Sequence, residues 1–252
     1  MVADPSCACE ITLQPVRRYG VDCAILFSDI MTIPIALGME VEMRPGPYFP
    51  RPLESDEDVE KLAYNPAYMN DVYAALKLVR AELDPAKAVV GFCGAPWTCV
   101  AYMVGKDKAK AWAHKYPHRA HAALRKCTAV AIDFLIKQYH AGADVLQVFE
   151  SQAADLGPND FRNFALPYLT EIAREVKRAC PHAPMTVFPR GAAHYATRWI
   201  AQGTEYDCVS VDWGTEPKMA REMAGEDLTL QGNLEPDVLY EPVENIRKEE
   251  YR

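Results

Sequence analysis

Three side chains in this sequence stand where chemistry is done, each just beyond a short apolar run. Asp29 closes Cys23-Ala24-Ile25-Leu26-Phe27-Ser28-Asp29, and strand alternation places Ile25, Phe27 and Asp29 on one face. A lone carboxylate above a hydrophobic wall suits a cationic ligand, or one rich in N–H groups, held otherwise by apolar contact. The competing role is an aspartate that turns the chain or caps the apolar segment ending at Gly38. Tyr102 lies in GFCGAPWTCVAYM, Gly91 to Met103, one helical turn after Thr98. It either points its phenol at the same mouth or leaves the hydroxyl in water. Gly91 and Gly94 allow backbone to approach a ligand closely, Pro96 fixes the turn, and Phe92 adds to the apolar wall. Ser151, in FESQAADLGP, either binds a ligand carboxylate or caps a helix. Asp212, Gln231 and Asn233 follow later apolar runs and suit supporting hydrogen bonds.

These groups need a scaffold that brings the ends of several strands together. Six short runs rich in Val, Ile, Leu and Phe read as strands, near 23–28, 88–93, 144–149, 184–188, 207–212 and 228–232, with the near-continuous hydrophobicity of strands buried on both faces. Helices alternate with them. Asn65-Pro66 reads as a cap and first turn, and Val72, Leu76, Val79 and Leu83 form one stripe before Asp84-Pro85. Cys127, Ala131, Phe134 and Leu135 mark a helix stopped by Gly142. A segment from Pro158 breaks at Pro167 and resumes through Tyr168, Ile172 and Val176. His194 to Gln202 ends at Gly203. Repeated β-α order predicts an α/β fold, a parallel sheet curled as in a (β/α)8 barrel, where catalytic groups sit at the C-terminal strand ends. An open doubly wound sheet competes, although no G-x-G-x-x-G opens a helix. Arg44-Pro45-Gly46-Pro47-Tyr48-Phe49-Pro50-Arg51-Pro52 reads as a surface loop, and no linker divides the 252 residues.

A formal charge of −8 argues against a nucleic-acid partner. No apolar run is long enough to span a membrane, and no secretory signal is recognisable. The eight cysteines form no C-x-x-C pair, and Cys23, Cys93 and Cys208 lie within predicted strands as small apolar residues, which fits a reduced, cytoplasm-like compartment. The six histidines show no ligand spacing. His114, His118 and His121 would share a helical face, interleaved with lysines and arginines.

Six ordered blocks resemble one family. ITLQPVRRYGVD, ILFSDI with ALGMEV, GFCGAPWT with AYM, AGADVLQVFES, LGPNDFRNFALPY, and VDW followed by TLQGNLEP are similar to the uroporphyrinogen decarboxylase family. That resemblance implies a TIM barrel that removes carbon dioxide from the four acetate side chains of uroporphyrinogen, leaving methyls in coproporphyrinogen. It implies no cofactor and no metal, a homodimer, Asp29 against the pyrrole N–H groups, Tyr102 as the active-site tyrosine and Ser151 as a substrate-binding serine. Ile25, Phe27 and Phe92 would keep the site dry. The pattern also departs from the family. The arginine-bearing loop of the first family strand and the histidine of the eighth are absent, so residues 1–252 are expected to form one barrel domain with about six of eight strands. The P-G-x-G-P turn is shortened to Pro45-Gly46-Pro47. Phe188-Pro189-Arg190-Gly191 replaces a lysine-bearing sequence, which makes Arg190 a candidate for a substrate carboxylate. A non-catalytic chain that pairs through its open sheet edges is the alternative. A corrinoid or thiol methyltransferase of the same superfamily would need an H-x-C zinc site, which the sequence lacks. A plastid location would need a transit segment ahead of Met1.

Overall fold

Apolar runs too short to be helices, separated by amphipathic ones, leave the backbone one economical solution: parallel strands under a helical layer. The computed structural model describes residues 4–250. Along the chain run α1 (Pro5–Tyr19), β1 (Cys23–Ile25), α2 (Thr32–Ala36), β2 (Glu42–Arg44), β3 (Gly46–Tyr48), α3 (Asp56–Lys61), α4 (Asn70–Glu82) and β4 (Ala88–Gly94). Then follow α5 (Pro96–Val104), α6 (Lys106–Lys115), α7 (Pro117–His140), β5 (Val145–Glu150), α8 (Pro158–Phe164) and α9 (Leu166–Ala179). The last are β6 (Met185–Pro189), α10 (Ala193–Gly203), β7 (Cys208–Ser210), α11 (Pro217–Ala224), β8 (Thr229–Gln231) and α12 (Val243–Glu250). Six strands form one parallel sheet in the order β1-β4-β5-β6-β7-β8. It is a half-barrel, and all six strands fall on the predicted runs.

Local signals account for the helices. Asn65 accepts from the Ala67 N–H at 3.1 Å and opens a short 3-10 turn that leads into α4. The α4 residues Val72, Leu76 and Val79, and Leu83 just beyond, are all buried. The break between α8 and α9 falls at Ala165, because Pro167 belongs to the first turn of the new helix rather than ending the old one. Two expectations need correction. The proline-rich stretch is not merely a loop: β2 and β3 pair there as a separate antiparallel hairpin. The three clustered histidines do not share a helix, because α6, which carries His114, ends at Lys115 and Pro117 starts α7, which carries His118 and His121. His114 instead meets Asp160 at 3.1 Å, and His121 Nδ1 lies 2.6 Å from the Tyr168 hydroxyl.

One place in the sheet departs from a continuous ladder. The Leu26 N–H still bonds the Val90 carbonyl at 3.1 Å, but β1 then parts from β4. Both freed backbones find side-chain partners. The Phe27 N–H donates to Thr12 Oγ1 of α1 at 2.8 Å. On the other side, Gln138 of α7 takes the place of a strand, accepting from the Phe92 N–H and donating to the Phe92 carbonyl, each at 2.9 Å. This needs a glycine at position 91, since a Cβ there would stand 2.7 Å from Gln138 Oε1. Replacing Gln138 by Leu strands two buried backbone groups, and should cost about 2–4 kcal/mol in urea unfolding with little change in m.

Candidate active site

Register defines the wall beneath the strand ends. Ile25, Val90 and Val145 stand abreast, and above them Phe92, Gln147, Thr186 and Cys208. Gly94, Phe149 and Phe188 form the next row. Phe92 meets Phe149 edge-on at 5.4 Å between ring centroids, and Phe149 meets Phe188 at 6.4 Å. The result is an aromatic floor that sequence reasoning found only in part, through Phe92. Phe27 is half-buried and packs against the core. Ile25 does not help to keep the site dry: it is 54% exposed. It lies on the edge strand of the sheet, with no strand facing it.

Above the floor come the polar groups. Asp29 lies on the loop between β1 and α2, partly buried. Its Oδ1 accepts from the Met31 N–H at 2.8 Å, and its carbonyl accepts from the Thr32 hydroxyl at 2.6 Å. The turn-forming role weighed for Asp29 is therefore real. It occupies one carboxylate oxygen, while Oδ2 has no hydrogen bond among the described residues. The loop crosses the end of β4, where a Cβ on Gly94 would stand 2.9 Å from the Ile30 carbonyl and 3.1 Å from Cys99 Sγ of α5. Gly94 thus seats the aspartate loop against the helix that carries Tyr102. Tyr102 itself is half-buried, with Lys106 Nζ 5.1 Å from its ring centroid.

Ser151 and Arg190 follow the paired residues Glu150 and Pro189 at the ends of β5 and β6. Ser151 is half-buried and Arg190 is exposed. The later loops are latched to one another. Asp212 accepts from the Gly191 N–H at 2.7 Å and the Gly214 N–H at 3.0 Å, and Asn233 Nδ2 donates to the Thr215 carbonyl at 2.7 Å. Both play the supporting role expected of them, whereas Gln231 is exposed. Sequence reasoning missed Glu150, a fully buried acid at the end of β5 whose carboxyl is pushed up to about 8 by burial. The signal was an acid closing the apolar run VLQVFE, overshadowed by the serine after it. Among the described residues no group of His, Cys, Asp and Glu is arranged to hold a metal ion.

A curled parallel sheet with an aromatic floor and polar loops at its C-terminal ends defines a TIM-barrel-type enzyme site. The sequence model of the family described as uroporphyrinogen decarboxylase matches residues 1–251. The chain is 43% identical to the uroporphyrinogen decarboxylase of Salinibacter ruber, covering 99% of this chain and 73% of that protein. It is 43% identical to that of Homo sapiens, covering 96% and 70%, and 40% identical to that of Dictyostelium discoideum, covering 94% and 68%. Among solved structures, a methyltransferase from Methanosarcina mazei superposes with a TM-score of 0.82 at 21% identity, over 98% of this chain and 75% of the other, a likeness of fold alone. The chain belongs to the uroporphyrinogen decarboxylase family, whose members of that name are carboxy-lyases.

Because Gly94 is where the aspartate loop and α5 touch, Gly94→Ala should push that loop off its seat. The expected loss is about 1–3 kcal/mol in denaturant unfolding.

Proposed function

We propose that this chain decarboxylates the four acetate side chains of uroporphyrinogen to give coproporphyrinogen, with Asp29 as the group that stabilises the reacting ring. The observation that carries the proposal is a carboxylate at the end of β1 with one oxygen fixed by the Met31 N–H and the other left for a ligand, in a chain of this family. Cleaving the bond between an acetate methylene and its carboxylate leaves an electron pair. A pyrrole protonated at the ring carbon next to the one bearing that side chain accepts the pair as an exocyclic double bond, and carbon dioxide departs. The methylene then takes up a proton to become a methyl, and the ring carbon gives up its added proton to restore the pyrrole. The cationic ring is the species to be stabilised. A carboxylate about 4 Å from that charge is worth on the order of 4 kcal/mol at an effective dielectric near 20, or roughly a thousandfold in rate. The pyrrole is its own electron sink, so the proposed chemistry asks for no metal or organic cofactor.

The other groups take roles that fit their places. Tyr102 on α5 contributes a phenol beside the ring, and Ser151 a hydroxyl to a substrate carboxylate. Phe27, Phe92 and the neighbouring phenylalanines give tetrapyrrole edges an apolar surface. Arg190, exposed after β6, offers a cation to a substrate that brings eight carboxylates to a chain at −8. We further propose a single barrel domain acting as a homodimer in a cytoplasm-like compartment. Support comes from Leu239, Tyr240 and Val243, which are 60%, 91% and 60% exposed in one segment, and from eight free cysteines. No helix of the described residues is long and apolar enough to cross a membrane.

Converting uroporphyrinogen and resolving the products by chromatography tests the proposal against an interaction-only role, which would release no coproporphyrinogen. Asp29→Asn keeps the turn but removes the charge. It should lower kcat by about a thousandfold while KM moves by less than about threefold. Parallel losses in both constants would show that Asp29 serves binding rather than the transition state.

A further inference from the structure

Glu150 is the last residue of β5 and precedes Ser151, so the two side chains leave opposite faces of the strand. Its carboxyl is fully buried beneath the first turn of α5. That turn has no cap of its own, because its N-cap residue is Ala95 and Pro96 has no N–H. Glu150 supplies the missing acceptor from a different element. Its Oε1 accepts from the Thr98 N–H at 2.8 Å and from the Thr98 hydroxyl. Thr98 Oγ1 accepts in turn from the Gln152 N–H at 3.1 Å, and Trp97 Nε1 donates to the Gln152 carbonyl at 3.1 Å. Tyr102 lies one turn further along the same helix. The helix bearing Tyr102 and the loop bearing Ser151 are thus joined through one acid. Its Oε2 is buried without a hydrogen-bond partner among the described residues.

We propose that Glu150 is a positioning residue of the decarboxylase site, capping α5 so that Tyr102 and Ser151 hold a fixed separation across the mouth. The proposal rests on the decarboxylase function argued above. Ionising this acid would leave a charge in a dry pocket with half of its oxygens unsolvated. Burial pushes its carboxyl up to about 8 from an ordinary 4.5, with the bonds from the Thr98 hydroxyl and N–H opposing. The titratable groups packed around it are Cys93 of β4, Cys99 of α5 and Tyr206 ahead of β7; burial raises Cys93 and Tyr206, and Cys99 is raised by its hydrogen bond with Cys127 and then by burial. They stay neutral while Glu150 ionises, so the cap weakens on account of Glu150 itself. Because the folded form keeps a proton that the unfolded chain releases, this contribution to stability is full below 4.5 and is lost as pH rises through about 8.

The test compares the wild-type chain with Glu150→Gln and Glu150→Ala in uroporphyrinogen decarboxylation across pH, with amide hydrogen exchange over residues 97–99 as an independent readout. Glu150→Gln keeps the acceptor oxygen. It should hold kcat within about threefold, remove the fall in activity near pH 8, and abolish the roughly tenfold change per pH unit in the unfolding equilibrium between pH 5 and 8. Glu150→Ala should lower kcat by about tenfold or more and speed exchange at residues 97–99. Should Glu150→Ala not fold, the wild type still decides the matter: its protection at these amides should fall between pH 5 and 8, beyond the intrinsic base-catalysed rise, and that of Glu150→Gln should not. An alkaline fall retained in Glu150→Gln, or equal kcat in the two variants, overturns the proposal. If the wild type leaves uroporphyrinogen unchanged, it is the decarboxylase function that fails. Exchange then judges the cap alone, and unchanged protection in Glu150→Ala overturns it.

Discussion

A buried backbone N–H or carbonyl without a partner is among the costliest defects a sheet can carry, and this fold parts two neighbouring strands just below its site. β1 must leave β4 after Leu26 if Asp29 is to rise over the strand ends rather than continue in the ladder. The separation holds because Thr12 and Gln138 reach in from the helical layer and satisfy Phe27 and Phe92. Gly91 is small because Gln138 must pass it, and Gly94 is small because the loop carrying Asp29 then lies across it. Two glycines, one glutamine and one threonine determine where the aspartate stands.

Electrostatics sets the second constraint. A polyanionic substrate approaching a chain of net charge −8 is repelled at long range. Many of the arginines are already committed: Arg17 to Glu10, Arg44 to Glu42, Arg51 to Glu40, and Arg119 to Asp56. Arg80 holds the Leu83, Asp84 and Lys87 carbonyls together with Asp144, which fixes the turn before β4. Arg190 is different in kind, since it lies at a strand end on the wall that carries Ser151. Local placement rather than net charge is what can make the approach favourable, and the screening of exposed charges over about 8–10 Å lets it do so.

The six sheet strands were legible because each is a short apolar run, and every such run became a strand, although the edge strands β1 and β8 leave residues exposed. The stripe of α4 was legible for the same reason. The hairpin of β2 and β3 was not, since prolines suggest a loop unless cross-strand pairing is known. Histidines at helical spacing misled because Pro117 permits a new helix as readily as it ends an old one. For the site, a residue type at a strand end could be read, but its partner across the fold could not. Thr98 gives no sign that it bonds Glu150, 52 positions away, nor does Gln138 that it serves Phe92, 46 positions away. The exposure of Ile25 was hidden too, because alternation names a face without saying what stands opposite.

The turn formed by Asp29 and its proposed catalytic role reinforce each other. A carboxylate free to rotate would reorganise as charge develops on a ring, and that reorganisation would cancel much of the Coulombic gain. With Oδ1 held by the Met31 N–H, the side chain is fixed before any substrate arrives, at the expense of one acceptor position and some negative charge density. The remaining oxygen then faces a developing cation with its position already determined by α2 and, through Gly94, by α5. Structural and functional uses of one carboxylate are often treated as rival explanations. Here the first supplies the preorganisation that the second requires.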